Sequence, residues 1–474
     1  MNESKSASLS LAALEELFSG CADFTLRRIR YGLEDELLLP VCWLDGVVSG
    51  SAVSLEILRP LTELLRAGAV QSPDAALERC RSGLVYRCSV QRLEDLSAAA
   101  DALCRGSCLL LFEELGCALS FETRSSERRA VSEPSLEKSL KGGKDSFTET
   151  LRVNTALVRQ RLNTPKLKLT ESCLGRRSQT RVAMLYLEDL APGSTVRELA
   201  RRLDRLDPDA LLSLGPLESG LVDCPASPFP QLLHTERPDR FAMHLNQGRI
   251  GILVDGLPVG LLLPATLSSF LEVTGDGSMH VLVSASLSAL RWLALGIGTL
   301  LPAFYTAVAL YHPEMIPTRL LLSIIRAERD LPFSTALEVL GMLAAFSLLQ
   351  EAGLRMPNPI GDTVSIIGAL IVGQAAVEAK VVSPIAIIVV AVSGIACYTL
   401  PSQDLGFALR LCRLLLLLGA IFAGLYGLSL MACLLLLHLA ELESFGVPYV
   451  TRSSRSSTGL IGRLRAILQR GKPT

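Results

Sequence analysis

Two groups of residues in this 474-residue chain have the types and spacing to do chemistry. The first is Thr235-Glu236-Arg237-Pro238-Asp239, which crowds two acids and an arginine around a proline. A carboxylate paired with both arms of the Arg237 guanidinium would hold a loop in one geometry, and Pro238 narrows the backbone choices of the residue before it. Arg249 and Asp255 offer the same chemistry shortly afterwards. Glu236, Arg237, Asp239, Arg249 and Asp255 are therefore a candidate conformational clamp. It is either confined to the chain or a gating or intersubunit contact.

The second group is Glu338, Glu351, Gln374 and Glu378, which lie in or beside strongly apolar sequence. An ionisable group in hydrocarbon is costly and faces a cavity, a pathway or a partner, so these four are candidate pore or gating residues. Gln374 and Glu378 are four apart and share a helix face, with Gly368, Val372, Ala375 and Ala379 forming a small-residue face beside them. The alternative is that Glu378 pairs with Lys380 at a membrane surface and that Glu338 and Glu351 mark helix ends.

Catalysis has no comparable support. The histidines at 234, 244, 280, 312 and 438 have no metal-ligand spacing, and the sequence holds neither a nucleophile elbow nor a phosphate-binding loop. Twelve cysteines include no C-x-x-C pair; even Cys104 and Cys108 lack a nearby histidine, so reduced, buried thiols acting as small apolar residues are expected. No enzyme, cofactor or metal site is expected.

The elements that must position these groups are of two kinds. Lys and Arg number 46 against 47 Asp and Glu, a net charge of -1 that argues against a nucleic-acid partner. Charged residues are 20% of the whole, yet residues 281–440 contain only 16 of them. Trp292 to Pro313, Val381 to Gln403 and Leu414 to Leu437 are charge-free runs of 22, 23 and 24 residues, each long enough to cross a bilayer as a helix. Val339 to Gln350 and Thr363 to Val377 are shorter, giving four to five helical segments in all. The segment Met1 to Glu16 lacks the pattern of a signal peptide, and the tail after Ser444 carries Arg452, Arg455, Arg463, Arg465, Arg470 and Lys472 without an acid. Both ends are expected in the cytoplasm, so crossings must be even and one short segment does not cross. Leu460, Ile461, Leu464, Ile467 and Leu468 on one face of the tail suit a helix lying on anionic lipid.

Residues 1–280 alternate strand-like and helix-like segments, as α/β or α+β units do. LPVCWLD ending at Asp45 is echoed by AMLYLE ending at Glu188, and LLLFE ending at Glu113 by GILVD ending at Asp255. The paired acids are 68 and 67 residues apart, which implies a duplicated subdomain. The reading is an α/β subdomain over 1–125, a charged helical connector over 126–180, a second α/β subdomain over 181–280, an all-α polytopic membrane domain over 281–440 and a basic tail over 441–474. Within the connector, Asp145 to Leu162 reads as an amphipathic helix with an apolar face of Leu151, Leu157, Val158 and Leu162 and an arginine surface of Arg152, Arg159 and Arg161.

Several ordered blocks resemble the GerA-type spore germination proteins, specifically the A subunit of nutrient germinant receptors. They are Ser227-Pro228-Phe229-Pro230-Gln231 before Thr235 to Asp239, Gly248-Arg249 with Asp255-Gly256, His312 to Pro317, Glu351 to Arg355 leading into Pro359-Ile360-Gly361, VSIIGALIVGQAAVEAKVVSP from Val364 to Pro384, and Ser444 to Tyr449. The likeness runs from about Glu133 to Tyr449 and more weakly before that. Lys141-Gly142-Gly143-Lys144 and Thr451-Arg452 depart from the family pattern, and Gly275 to Ser288 lacks its aromatic residues. The resemblance implies a spore inner-membrane protein that assembles with a transporter-like B subunit and a lipoprotein C subunit, oligomerises and forms a nutrient-gated ion channel. A signalling scaffold anchored in the membrane is the alternative; a secondary transporter would need a repeat within the membrane region, and the repeat here lies in the soluble half.

Overall fold

The computed structural model describes residues 9–31, 37–66, 72–85, 89–124, 137, 143–273, 275–276, 279–329, 331–355 and 374–451. The chain divides into two compact units: Met1–Val222 with Leu232–Pro264, and Asp223–Gln231 with Ala265–Thr474.

The first unit is built on two five-stranded sheets. Strands β1 (Phe24–Tyr31), β2 (Leu37–Leu44), β3 (Val90–Leu93), β4 (Ser107–Phe112) and β5 (Cys117–Glu122) run in the order β1-β2-β4-β5-β3. Strands β6 (Leu167–Leu174), β7 (Thr180–Leu187), β8 (Leu233–Thr235), β9 (Ile250–Val254) and β10 (Gly260–Leu263) repeat that order as β6-β7-β9-β10-β8. Every strand pairing in both sheets is antiparallel. Asp45 and Glu188 directly follow β2 and β7, while Glu113 and Asp255 directly follow β4 and β9. The spaced acids thus occupy equivalent places in the two sheets.

Strand β4 reads SCLLLF because both faces are covered. Helices α1 (Leu11–Leu17), α2 (Arg59–Arg66), α3 (Pro73–Arg79) and α4 (Leu96–Cys104) supply the cover. Side chains alternate across a strand, so Leu110 and Phe112 join Leu61 and Leu77 in one core while Leu109 and Leu111 join Leu14, Phe18 and Leu103 in the other. Cys42, Cys104 and Cys108 are buried in these layers as free thiols.

The connector forms a shorter helix than the periodicity predicts, α5 (Leu151–Arg159). The Asp255 carboxylate accepts a hydrogen bond from the Leu151 backbone N–H at 2.9 Å, satisfying one orphan donor and starting the helix there. The preceding residues are held extended by pairs such as Phe147 N–H to Glu236 carbonyl at 2.7 Å. The expected arginine surface is also corrected: Arg159 is 0% exposed. Further helices of this unit include α6 (Gly193–Arg205), α7 (Gly215–Leu221) and α8 (Pro238–Leu245).

The second unit contains α9 (Leu267–Leu271), α10 (Val281–Tyr311), α11 (Thr318–Glu328), α12 (Thr335–Arg355), α13 (Pro384–Tyr398), α14 (Gln403–Glu441) and a two-stranded hairpin of β11 (Glu443–Ser444) and β12 (Val447–Pro448). Among the described residues three helices are long and apolar enough to cross a membrane, namely α10, α14 and the Thr335–Ala352 part of α12, against the four to five segments read from hydropathy. Helix α13 is shorter, and most of Thr363 to Val377 lies outside the described residues, as do Gly368, Val372 and the basic tail beyond Thr451. Helix α14 is broken at Ala423 and Gly424, where Gly424 takes φ 59°. A Cβ on Gly419 would meet Met431 Cγ at 2.6 Å, although twelve residues of straight helix would separate them by roughly 18 Å. The helix therefore folds back on itself as a hairpin of two arms, 403–422 and 425–441. Ala303, Ala307, Val339, Ala386, Val390, Leu416 and Ala420 form the shared core of α10, α12, α13 and α14, where small side chains let the backbones approach.

Candidate functional site

Arg237 forms the fork expected of it, with Asp239 as the partner. Its Nε and Nη2 donate to the two Asp239 carboxylate oxygens at 3.0 and 2.6 Å, and the guanidinium is nearly buried. Nη2 also donates to the Gly143 carbonyl at 3.3 Å. The charge-assisted bonds to Asp239 raise the Arg237 pKa further above its usual value. Asp239 Oδ1 accepts the Arg240 backbone N–H at 2.8 Å, which ties the fork to the first turn of α8. Glu236 contributes its backbone carbonyl, to Phe147.

Glu137 completes this cluster. Its carboxylate accepts from Thr235 Oγ1 at 2.7 Å and from Arg240 Nη1. It was invisible to spacing arguments because it lies about a hundred residues upstream, inside a charged segment whose other residues carry no contrast. Asp255 and Arg249 belong elsewhere. Asp255 caps α5, and Arg249 lies beside buried His244, whose pKa is pushed well below 6.5 by burial and by the charges of Arg249 and Arg240. Phe241 of α8 lies against Gly251 and Gly260, where a Cβ would meet its ring at 2.0 and 2.7 Å. Glycine at those two strand positions is what lets α8 seat on the second sheet.

Helix α5 ties the two sheets together. Arg159 donates from Nε and Nη2 to Asp23 at 2.7 and 2.9 Å; burial opposes the charge, and the Asp23 carboxylate more than offsets it, so the arginine pKa is raised. Arg152 reaches Asp45 after β2 at 3.3 Å and Glu171 on β6 at 2.7 Å. One nine-residue helix thus carries ion pairs to both subdomains.

A third constellation lies in the second unit, where the Ser227 to Gln231 block meets the Ser444 to Tyr449 block. Ser444 Oγ donates to the Gln231 carbonyl at 3.0 Å and accepts from the Ala265 N–H at 3.1 Å. Asp223 Oδ2 accepts the Phe445 N–H at 2.6 Å, and the Gln231 side chain closes the loop on itself through the Asp223 and Cys224 backbone at 2.9 and 3.0 Å. Ser227 Oγ and His438 Nε2 are 2.8 Å apart. Tyr449 is 0% exposed between Phe229 and Phe270, and its carbonyl accepts the Leu267 N–H at 2.9 Å. The result is a collar in which the loop 223–231, the helix α9 leading into α10, and the hairpin leaving α14 are bonded together. Residues 223–231 pack with the second unit although the chain on either side belongs to the first. Sequence reasoning had both blocks as separate signatures; nothing in their spacing places them side by side.

Of the four candidate pore residues, Glu338 and Glu351 lie on α12, and Gln374 and Glu378 on a later helical stretch. Glu338 is buried and its Oε2 accepts the backbone N–H of Ser383, the N-cap of α13, at 3.0 Å. Glu351 is exposed near the C-terminal end of α12. Gln374 and Glu378 are both exposed, four residues apart on one helical stretch. Among the described residues there is no group of His, Cys, Asp and Glu able to hold a metal ion.

Residues 12–470 match the family model described as Bacillus/Clostridium GerA spore germination protein. The chain is 36% identical to spore germination protein B1 of Bacillus subtilis (strain 168) over 86% of this chain and 83% of that one. It is 32% identical to spore germination protein KA of the same organism, over 94% of this chain and 82% of that one. Among solved structures, the N-terminal domain of the A subunit of the Bacillus megaterium spore germinant receptor GerK3 aligns with a TM-score of 0.43 and 29% identity, over 54% of this chain and 94% of that chain.

Proposed function

From the premise that the chain belongs to the Bacillus/Clostridium GerA spore germination protein family, we propose that it is the A-type membrane subunit of a nutrient germinant receptor. It works with a transporter-like B subunit and a lipoprotein C subunit, and several copies oligomerise around a nutrient-gated ion path in the spore inner membrane. The collar is the observation that carries this reading. It bonds the segment entering α10 to the segment leaving α14, so a displacement of loop 223–231 acts on both helices at once. That loop is continuous at each end with the first unit, so the peptide chain itself transmits the displacement. The Arg237–Asp239–Glu137 cluster and the α5 ion pairs stiffen the lever on the soluble side.

Both ends of the membrane region meet in the collar, which supports an even number of crossings, and the basic tail supports the cytoplasm as the side they share. Gln374 and Glu378, exposed on one face, are then free to line an ion path or a contact between copies.

The purified receptor in planar bilayers tests this reading. Nutrient should evoke a monovalent-cation conductance, and Glu378→Ala should change its size or gating. Native mass measurement of the intact complex should find several copies of the chain. A single copy per complex would instead favour a scaffold that anchors other subunits.

A further inference from the structure

At one end of the first sheet lies a hollow of about 280 Å³ that the proposed function leaves unused. It sits where α4 ends at Cys104 and the chain turns through Arg105 and Gly106 into β4. Its walls include Ser107 of β4, Ser120 of β5, Gln91 of β3, the guanidinium-bearing Arg105 and Arg124, and Gln160, the residue that caps α5. Ser107 and Ser120 are buried residues. Among the described residues neither hydroxyl has a hydrogen-bond partner, and neither arginine has an ion pair.

The duplicated sheet supplies a comparison within the same chain. Ser120 pairs with Leu109 on one side and with Gln91 on the other. In the second sheet the same place is held by Leu262, which pairs with Gly251 and with Leu233. The register is fixed by the acids that follow the two strands, since Leu109 stands four residues before Glu113 and Gly251 four before Asp255. Leu262 and Leu233 are 0% and 1% exposed. One copy of the fold therefore closes this place with two leucines, and the other lines it with a serine and a glutamine. Polar groups taken from water cost free energy unless they find partners, and a few convergent polar groups around a hollow are the mark of a ligand site.

We infer that this hollow binds a small hydroxylated metabolite carrying one carboxylate or phosphate group. Arg105 and Arg124 supply charge-assisted donors for the oxyanion, and the planar guanidinium suits both carboxylate and phosphate. Ser107, Ser120 and Gln91 supply donors and acceptors for neutral hydroxyl groups. Glu122 is on the same wall, so two arginines and one glutamate leave a single positive charge, which disfavours a second anionic group on the ligand. The volume falls just below the ~300–1,000 Å³ of pockets for drug-sized molecules, which sets the size class. Gln160 brings the ligand against the end of α5, the helix whose ion pairs reach both sheets.

The test uses the full chain in lipid nanodiscs, with thermal unfolding in sodium lactate or sodium glycerol 3-phosphate compared with sodium chloride at equal ionic strength, and with glycerol at the same concentration. At least one of the two oxyanions should raise the midpoint by a few degrees in a saturable way, as expected of a ligand that binds only the folded state, and glycerol should not. Ser120→Leu, which copies the second sheet, should fold at least as stably and lose the increment. Arg105→Gln combined with Arg124→Gln should weaken the apparent affinity by more than about tenfold. No saturable increment from either oxyanion, an undiminished one in Ser120→Leu, or an equal one from sodium sulfate would overturn the inference. If Ser120→Leu does not fold, the double arginine variant, at two exposed positions, decides in its place.

Discussion

At the scale of single residues, the informative side chains are buried polar groups. Tyr449 has its ring enclosed by Phe229 and Phe270, but its hydroxyl has no hydrogen-bond partner among the described residues. Burial raises its pKa, so it stays neutral. Removing only that hydroxyl forfeits nothing, whereas removing the ring opens a cavity. Tyr449→Phe should therefore leave stability unchanged or slightly higher, and Tyr449→Ala should cost about 3–5 kcal/mol by denaturant titration of the full chain. His244 gives a pH dependence. Its folded pKa lies below the unfolded value of 6.5, so below pH 6.5 the unfolded chain takes up a proton that the folded chain refuses. Stability should fall as pH drops through that window and be flat above it. His244→Gln should remove that part of the slope, read by hydrogen exchange of Ile250–Val254 at pH values on either side of 6.5. The fork at Arg237 was legible because its partner is two residues away. Glu137 and Asp23 were not, since each meets its arginine across 100 or more residues, where local pattern carries no information.

At the scale of elements, the strands were legible and the connector was only half so. Unbroken apolar runs such as β4 and β9 announce strands covered on both faces, and the acids that follow them mark equivalent turns in the two sheets. The start of α5 was not legible, because periodicity continues upstream of Leu151 while the cap that sets the boundary is Asp255, on another strand. The arginines of α5 likewise read as a solvated face because charge in sequence does not reveal the acids waiting on β6 and before β1. Asp23 and Arg159 are almost wholly enclosed, so breaking that pair leaves an uncompensated charge. Asp23→Asn should cost about 3–5 kcal/mol of stability, while the apolar pair Asp23→Leu with Arg159→Met should cost less than the single change. Thermal unfolding of the two variants compares them directly; a double variant worse than Asp23→Asn would show that the pair holds the sheets by more than charge compensation.

At the scale of the whole molecule, composition separated a charged region from an apolar one, and the chain folds as two units that do not respect that boundary. Residues 223–231 lie within the charge-rich first 280 residues yet pack with the apolar unit, against a hairpin more than two hundred residues later. No composition window could place that loop, because its partners are backbone groups, a serine and aromatic rings. The break in α14 was equally hidden, since hydropathy scores a folded-back hairpin and a straight helix alike.

The central claim of the proposed function is that the collar couples the first unit to a conductance through the candidate membrane helices. Ser444→Ala deletes the hydroxyl that joins the Gln231 carbonyl to the Ala265 N–H and leaves both buried backbone groups unpartnered. The decisive measurement is the nutrient-evoked current of the assembled receptor in bilayers, with wild-type chain and with Ser444→Ala inserted and assembled at equal levels. The wild type should pass a current on nutrient addition, and the variant should lose most of it while retaining assembly. A variant current equal to that of the wild type would contradict the coupling.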